Sequence, residues 1–185
     1  MIIALTGRAG VGKSTVARAL CADHGFLRIG FADPLKAMLR GFYRAGELSS
    51  DDIDRRVSGD LKEIPDPWLG GISPRYAMQT LGTEWGRKRM GEDFWIGAWE
   101  RSVGASGAER IVVDDCRFTN EAEAVRKLGG VVIGLCREGV ASLPGNHASE
   151  FGTEPDEWID VMDDFPATTA ALVLRVARSI RVHRV

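Results

Sequence analysis

The amino-terminal segment up to Thr15 is the feature that most constrains the fold of this chain. The apolar run from Met1 to Thr6 leads directly into GRAGVGKST, which fits the phosphate-binding pattern GxxxxGKS. In this pattern the glycines let successive backbone N–H groups point at phosphate oxygens, and the lysine and the hydroxyl serve the phosphates and Mg²⁺. Because a helical pattern from Val16 to His24 follows, we predict a strand, a loop and a helix that together hold a nucleoside triphosphate.

The loop supplies most of the predicted donor site. The residues expected to contact ATP within it are Gly10, Val11, Gly12, Lys13, Ser14 and Thr15. Lys13 is also a predicted catalytic residue, because its ammonium group brings a cation to the β- and γ-phosphates. The hydroxyl of Ser14 is a predicted ligand of Mg²⁺. ATP and Mg²⁺ are therefore the predicted cofactors.

A second element of the site follows the apolar run Ile111 to Val113. This run ends in Asp114 and Asp115. A strand beside the first one can deliver a carboxylate to the magnesium ion, usually through a water molecule. We assign Asp114 to this role and keep Asp115 as the competing candidate. The other interpretation is a strand that simply ends in acidic turn residues.

Two arginines also follow predicted strands. Arg117 lies three residues after Asp114, and Arg137 follows the apolar run Val131 to Leu135. Phosphoryl transfer depends on alignment and on cations around the migrating group, so we predict both arginines to be catalytic. For each of them the alternative is an ordinary surface arginine.

Apolar strands and helical patterns alternate along the chain. Strands are predicted at 1–6, 26–31, 110–114, 131–135 and 158–162, and helices at 16–24, 33–44, 73–90, 92–103, 121–128 and 168–182. This alternation predicts a single α/β domain over residues 1–185, a three-layer fold with helices on both faces of a parallel sheet. Residues 33–103 are the predicted helical substrate-binding insertion, with 46–73 as an irregular, mobile part of it. Residues 138–149 are the predicted lid.

Polar residues recur at helical spacing within the insertion. The predicted substrate-binding residues are Asp33, Lys36, Arg75, Gln79, Thr83, Arg87 and Trp95. The four from Arg75 to Arg87 are four residues apart and would share one helix face. Guanidinium groups suit a phosphate and an amide suits a base edge, although a solvated face gives the same pattern. Trp68, Trp85 and Trp95 are candidates to stack on a base, but tryptophans in such positions more often belong to a core.

The charge composition limits the classes of partner that this chain is expected to bind. The formal net charge is −2, and this argues against a nucleic-acid or anionic-membrane binder, which normally carries a basic face.

The three cysteines lack metal-ligand spacing and are expected to be reduced packing residues. Without a signal segment or a long apolar run, we expect a cytoplasmic protein, in the host cytoplasm if a phage encodes it. The sequence is compatible with either a monomer or a homodimer.

Several segments together resemble the deoxynucleoside monophosphate kinases of tailed bacteriophages. They are GRAGVGKST, FADPLK at 31–36, RxxxQxxGTE at 75–84, DDCRFTNEA at 114–122 and HASE at 147–150. The resemblance implies the P-loop kinase fold of the nucleoside monophosphate kinase group, with a five-stranded parallel sheet, a substrate-binding insertion and a lid. It also implies that the Arg75 to Arg87 face meets the acceptor nucleotide and that Arg117 and Arg137 serve transfer. The turn 163–167, with Asp164, would border the donor adenine.

The predicted reaction is transfer of the γ-phosphoryl group of MgATP to a (deoxy)nucleoside 5′-monophosphate. One alternative is a kinase with a hydroxyl acceptor, similar to dephospho-coenzyme A kinases, which would need Asp33 as a base. Another is an ATP-dependent switch or assembly protein, which would need no acceptor site. A regulatory GTPase is disfavoured because the sequence has neither an NKxD nor a DxxG motif.

Overall fold

The computed structural model describes residues 1–137, 153–161 and 166–183. The chain divides into two compact units, one formed by residues 1–31 with 100–185 and the other by residues 32–99. The second unit contains most of the predicted insertion. The predicted lid at 138–149 and the predicted adenine contact Asp164 lie outside the described residues.

The first unit is built on a parallel sheet, as predicted. Across the described residues its five strands are β1 Ile2–Thr6, β2 Leu27–Arg28, β3 Ile111–Val113, β4 Val131–Cys136 and β5 Glu157–Asp160. Their spatial order is β2-β3-β1-β4-β5. The central strand β1 pairs on both sides, with Ile3 opposite Val112 and Val131. This places the carboxyl ends of β1, β3 and β4 side by side, where an open α/β sheet binds its ligand.

The helical segments follow the sequence prediction with two exceptions described below, an additional helix within 46–73 and a change of helix type within 73–90. They are α1 Lys13–His24, α2 Asp33–Ala45, α3 Ser50–Val57, α4 Pro74–Thr80, α5 Phe94–Ser106, α6 Thr119–Lys127 and α7 Pro166–His183, with a π-helical segment at Leu81–Met90. Two short 3₁₀ turns lie at Asp60–Glu63 and Pro67–Leu69. Helix α5 contains the division between the two units, which falls after Trp99.

Helices cover both faces of the sheet. On one face Ile3 and Leu5 of β1 pack into a core with α1 and α7, which includes Leu20 and Val173. Successive strand residues point to opposite faces, so the buried Ala4 is directed to the other side. There α6 contacts β1 and β4. A strand buried on both faces is typical of a parallel sheet, which confirms the predicted three-layer arrangement.

The second unit has a hydrophobic core of its own. Its buried members are Leu39, Tyr43, Ile53, Val57 and Met78, from α2, α3 and α4. The prediction that residues 46–73 are irregular was wrong, because this stretch contains α3. Acidic residues in the first helical turn are favourable beside the positive end of the helix dipole, and Ile53 and Val57 lie one turn apart on the buried face.

A buried carboxylate ties the loop after α3 to this core. Asp66 is 4% exposed and accepts hydrogen bonds from the Tyr43 hydroxyl at 2.6 Å, from Arg56 Nε at 3.1 Å and from the Trp68 backbone N–H at 3.0 Å. Burial, and then the bond to Asp66, raise the pKa of Tyr43 above its usual range. A carboxylate with three donors is well satisfied in a buried site, and it fixes the backbone around it.

Asp66→Ala should therefore destabilise the second unit by about 3 kcal/mol, because it leaves Arg56 and Tyr43 without their shared acceptor in a largely buried site. Urea unfolding followed by far-UV circular dichroism measures this loss. The matched control is Asp60→Ala, since Asp60 pairs with Arg55 on the exposed surface. An unfolding midpoint equal to that of the wild type in the Asp66 variant would show that the network does not stabilise the unit.

Two further observations concern environment and redox state. No helix in the described part of the chain is both long and apolar enough to span a membrane. Cys21, Cys116 and Cys136 are free thiols, as predicted. Cys116 is buried, and desolvation raises the pKa of its thiol well above the usual value.

Candidate active site

The phosphate-binding loop connects β1 to α1. It begins at Gly7, whose φ of 123° is open to glycine and strained for other residues. A Cβ on Gly7 would also lie 2.4 Å from the carbonyl oxygen of Leu135 in β4. The loop can therefore start against the backbone of the neighbouring strand only with glycine at this position.

Arg137 lies beside the end of the same loop. A Cβ added to Gly12 would lie 3.2 Å from a terminal nitrogen of the Arg137 guanidinium and 3.6 Å from a methyl group of Val161. Gly12 also has a positive φ, 102°, and immediately precedes α1. The structure thus brings this predicted catalytic arginine to the phosphate-binding loop, where β4 ends.

Lys13 is the first residue of α1, and its side chain folds back over the loop. Its Nζ donates to the carbonyl oxygens of Gly7 at 2.6 Å and Arg8 at 2.7 Å. Burial, and after it the positive charge of Arg117, lower the pKa of this ammonium to about 8, against the opposing effects of Asp114 and Asp115. The positive charge of Arg117 is therefore felt at the Lys13 ammonium, the group that we expect to meet a bound phosphate.

Ser14 and Asp114 come together as the two predicted metal-site residues. Ser14 Oγ donates to Asp114 Oδ2 at 2.7 Å, and Asp114 is 8% exposed at the end of β3. Mg²⁺ prefers oxygen ligands and keeps several waters, so one or two protein oxygens with substrate phosphates are sufficient. A hydroxyl and a carboxylate in contact at the end of the loop fit this requirement.

Arg28 at the end of β2 is a site residue that the sequence reasoning missed. Its Nε donates to Asp114 Oδ1 at 2.7 Å, and its Nη2 lies 3.9 Å from Asp115 Oδ2. Asp115 Oδ1 accepts from the backbone N–H of Phe31 at 2.9 Å. Asp115 thus contacts the segment after β2, whereas Asp114 also contacts Ser14 of the phosphate-binding loop, which favours Asp114 as the carboxylate of a metal site. In the sequence Arg28 is one residue within the predicted strand 26–31, and that position carried no signal for this contact.

Glu121 is a second residue that was missed. It is 4% exposed, and its Oε2 accepts from the backbone N–H groups of Arg117 at 2.8 Å and Phe118 at 3.1 Å. One buried carboxylate thus satisfies two backbone donors just before α6. It fixes the turn that carries Arg117. Its place in the DDCRFTNEA segment was the available signal.

The predicted helix over 73–90 changes character within the second unit. It is α-helical from Pro74 to Thr80 and π-helical from Leu81 to Met90. The Trp95 indole explains the change, because a Cβ on Gly86 would lie 2.2 Å from its Nε1, which donates to the Gly82 carbonyl at 2.9 Å. A side chain that takes a helix carbonyl widens the helix at that point.

The π-helical segment and the burial of Trp95 correct two predictions about the acceptor residues. Its hydrogen bonds join residues five apart, as from Gly91 N–H to the Gly86 carbonyl, so residues four apart no longer stack in one row along it. Trp95 is 3% exposed and packs against Trp85 and Phe94. This burial contradicts the predicted stacking of Trp95 on a base, because its ring faces are already covered by protein.

The remaining predicted substrate-binding residues lie along α2, α4 and the π-helical segment. Asp33 is in the first turn of α2, followed one turn later by the half-buried Lys36. Arg75 pairs with Glu63, and Gln79 is exposed. The list is completed by Thr83, which is half-buried, and Arg87, which donates to the Glu92 carbonyl at 3.4 Å.

The second unit also contains an apolar cavity of about 570 Å³. Its lining includes Met38, Phe42, Leu81 and Trp85, with Arg89 as a cationic group. Trp85 is 37% exposed. The volume falls within the usual range for small-molecule sites. Trp85 is therefore available to a planar ligand where Trp95 is not.

Comparison with known proteins identifies the family of this chain. A family model described as deoxynucleotide monophosphate kinase matches residues 61–163. A putative deoxynucleotide monophosphate kinase of Acanthamoeba polyphaga mimivirus is 32% identical over 81% of this chain and 80% of its own length. The deoxynucleoside-5′-monophosphate kinase of Escherichia phage T5 is 39% identical over 30% of this chain and 22% of that protein.

A solved gluconokinase from Sinorhizobium meliloti aligns with a TM-score of 0.40 and 16% identity, over 98% of this chain and 95% of that one. A TM-score this low supports no argument about function. The family match covers more than half of the chain, and the mimivirus relative extends across most of it. This chain therefore belongs to the deoxynucleotide monophosphate kinase family.

Proposed function

We propose that this protein transfers the γ-phosphoryl group of MgATP to a deoxynucleoside 5′-monophosphate and releases ADP and the diphosphate. Membership of the deoxynucleotide monophosphate kinase family is the observation that carries the proposal. A phosphate acceptor is already anionic, so this reaction requires no residue to remove a proton from the attacking oxygen. The chain's task is to bind, align and neutralise the reacting groups.

In this mechanism the loop from Gly10 to Thr15 binds the donor triphosphate through its backbone N–H groups and the positive end of α1. Lys13 exchanges its bonds to the loop carbonyls for bonds to the β- and γ-phosphates. Ser14 and Asp114 hold Mg²⁺, which when bound neutralises charge on those phosphates. Their contact at 2.7 Å supports this assignment.

Arg117 and Arg137 supply the charge that stabilises the transferring group. Support comes from the field of Arg117 at Lys13 and from the approach of Arg137 to Gly12. A guanidinium group suits this role because its planar array of donors bonds two phosphoryl oxygens at once. The charge on the equatorial oxygens develops during transfer, so donors fixed beforehand stabilise the transition state most.

The acceptor is bound by the second unit in this proposal. Arg75, Arg87 and Lys36 provide cations for its phosphate, and Gln79 and Thr83 provide hydrogen bonds for the nucleoside. Asp33 orients the substrate. Trp85, and not Trp95, stacks on the base of the acceptor, because Trp85 lines an open cavity and Trp95 is buried.

The test is to incubate the purified chain with MgATP and each of the four common deoxynucleoside monophosphates, the matching ribonucleotides and dephospho-coenzyme A in turn. Chromatography should show equal amounts of ADP and of the deoxynucleoside diphosphate for at least one deoxynucleotide. Omission of Mg²⁺ and the Lys13→Met variant serve as blanks. Phosphorylation of dephospho-coenzyme A alone, or no product above the blanks, would contradict the proposal.

A further inference from the structure

Arg28 lies outside the phosphate-binding loop, yet it contacts the carboxylate beside the metal site. Asp114 has both oxygens engaged, Oδ1 by Arg28 Nε and Oδ2 by Ser14 Oγ, each at 2.7 Å. We propose that Arg28 is a positioning residue for the metal: it holds Oδ1 so that Oδ2 stays directed at the Ser14 hydroxyl, where the Mg²⁺ of the bound nucleotide is held. This inference rests on the proposed function, which supplies the metal and the nucleotide.

The contact is well suited to fixing a carboxylate in one orientation. Asp114 is 8% exposed, whereas the Arg28 side chain is 32% exposed. A charge-assisted bond from guanidinium to carboxylate is short and directional. The same guanidinium reaches towards Asp115, which the backbone of Phe31 holds in turn. Arg28 thus spans two neighbouring carboxylates, a geometry that a lysine ammonium does not reproduce.

The β2 segment is built to leave room for this side chain. Arg28 lies opposite Val112 in the parallel register, two residues before Asp114. A Cβ on Gly30 would lie 2.5 Å from Arg28 Nη2 and 2.7 Å from Asp115 Oδ2. Gly30 does not have a positive φ, so its backbone accepts alanine. Gly30→Ala should therefore displace the guanidinium, together with the Asp115 carboxylate that it also approaches, while every charge is retained.

Removing Arg28 has two effects of opposite sign on the affinity for the metal ion. Loss of orientation weakens metal binding, and partners that orient a metal ligand typically contribute 10- to 100-fold in affinity or activity. Loss of a nearby positive charge strengthens the binding of a dication. The direction of the change therefore distinguishes a positioning role from simple repulsion. Gly30→Ala tests the first effect without the second, because it disturbs the position of the guanidinium, and of the adjacent Asp115, without removing a charge.

The experiment measures the affinity of the intact chain for the β,γ-imido analogue of ATP by isothermal titration calorimetry, in Mg²⁺ and again in EDTA. The ratio of the two dissociation constants is the metal-dependent tightening. The variants are Arg28→Met, Arg28→Lys, Gly30→Ala and Asp114→Asn. Arg178→Met, at an exposed arginine of α7, is the matched control.

We expect Arg28→Met and Gly30→Ala each to reduce the metal-dependent tightening about tenfold, with affinity in EDTA unchanged. Arg28→Lys should keep part of it, because an ammonium can still donate to Asp114 but lacks the planar fork of the guanidinium. In the Asp114→Asn background, Arg28→Met should have no further effect, because Arg28 acts through that carboxylate. The Arg178 control should match the wild type.

Three results would overturn the inference. Stronger metal-dependent tightening in Arg28→Met would assign Arg28 to repulsion, and weaker affinity in EDTA would show a general effect on the loop. Wild-type tightening in Gly30→Ala would show that the position of the guanidinium does not matter. If the wild-type chain does not bind the analogue in Mg²⁺, the proposed function itself fails, and that result is distinct from the other three.

Discussion

Arg117→Ala should lower kcat about a thousandfold, the lower end of what an arginine that stabilises transferring phosphate contributes in related chemistry. The reason is that the charge on the moving group grows towards the transition state, so a guanidinium fixed nearby is of most use there. The KM values for ATP and acceptor should change much less. Steady-state kinetics with the best deoxynucleotide acceptor measures both parameters.

Two further variants sharpen this expectation. Arg101→Ala, at an exposed arginine of α5, should keep wild-type kinetics and control for loss of a positive charge. Glu121→Gln should lower kcat in the same direction as Arg117→Ala but less, because the amide oxygen can still accept from the Arg117 turn. A raised KM with unchanged kcat in Arg117→Ala would instead assign Arg117 to ground-state binding.

The sequence predicted the donor half of the molecule because its signals are local. The loop from Gly7 to Thr15 combines glycines with a fixed lysine and hydroxyl, and the apolar runs around Val112 and Ile133 are typical of buried parallel strands. The carboxyl ends of such strands meet at one edge of the sheet. The proximity of Ser14 to Asp114 follows from this topology, as does the approach of Arg137 to Gly12.

One of the two missed contacts joins distant segments of the chain. Arg28 and Asp114 are separated by 86 positions, and no spacing rule connects a strand-end arginine to a carboxylate two segments later. A tertiary hydrogen bond of this kind is readable only after the strand order is known. The Glu121 contact is local, but its partners are backbone N–H groups, which nearly every residue carries, so no residue type marks it in the sequence.

The second unit was predicted less well, because local patterns there compete with tertiary packing. Residues 46–73 were predicted to be irregular, yet α3 forms because its apolar residues bury against α2 and α4. The single helical face from Arg75 to Arg87 assumed an uninterrupted α-helix. The Trp95 indole, bonded to the Gly82 carbonyl, converts the second half to a π-helix and buries the tryptophan that was expected to meet a base.

Lys13→Met should remove transfer activity almost completely, with a loss in kcat/KM for ATP of about a thousandfold or more. The substitution keeps the length and apolar stem of the side chain and removes its charge, so the loop and α1 should fold normally. Lys127→Met, at an exposed lysine at the end of α6, is the matched control. Circular dichroism spectra identical to wild type, with retained turnover in the Lys13 variant, would contradict the assignment of the donor site.

The pH profile gives an independent test of the same lysine. Its pKa is lowered to about 8, by burial first and by Arg117 second, so the free enzyme loses this cation as the pH rises through 8. The kcat/KM for ATP reports the free enzyme and should fall above that pH. Bound triphosphate favours the protonated lysine, so kcat should stay level to higher pH. In Arg117→Ala one cause of the lowered pKa is absent, and the fall in kcat/KM should move upward in pH. A profile that is flat from pH 7 to 9.5 in the wild type would show that Lys13 does not titrate in this range.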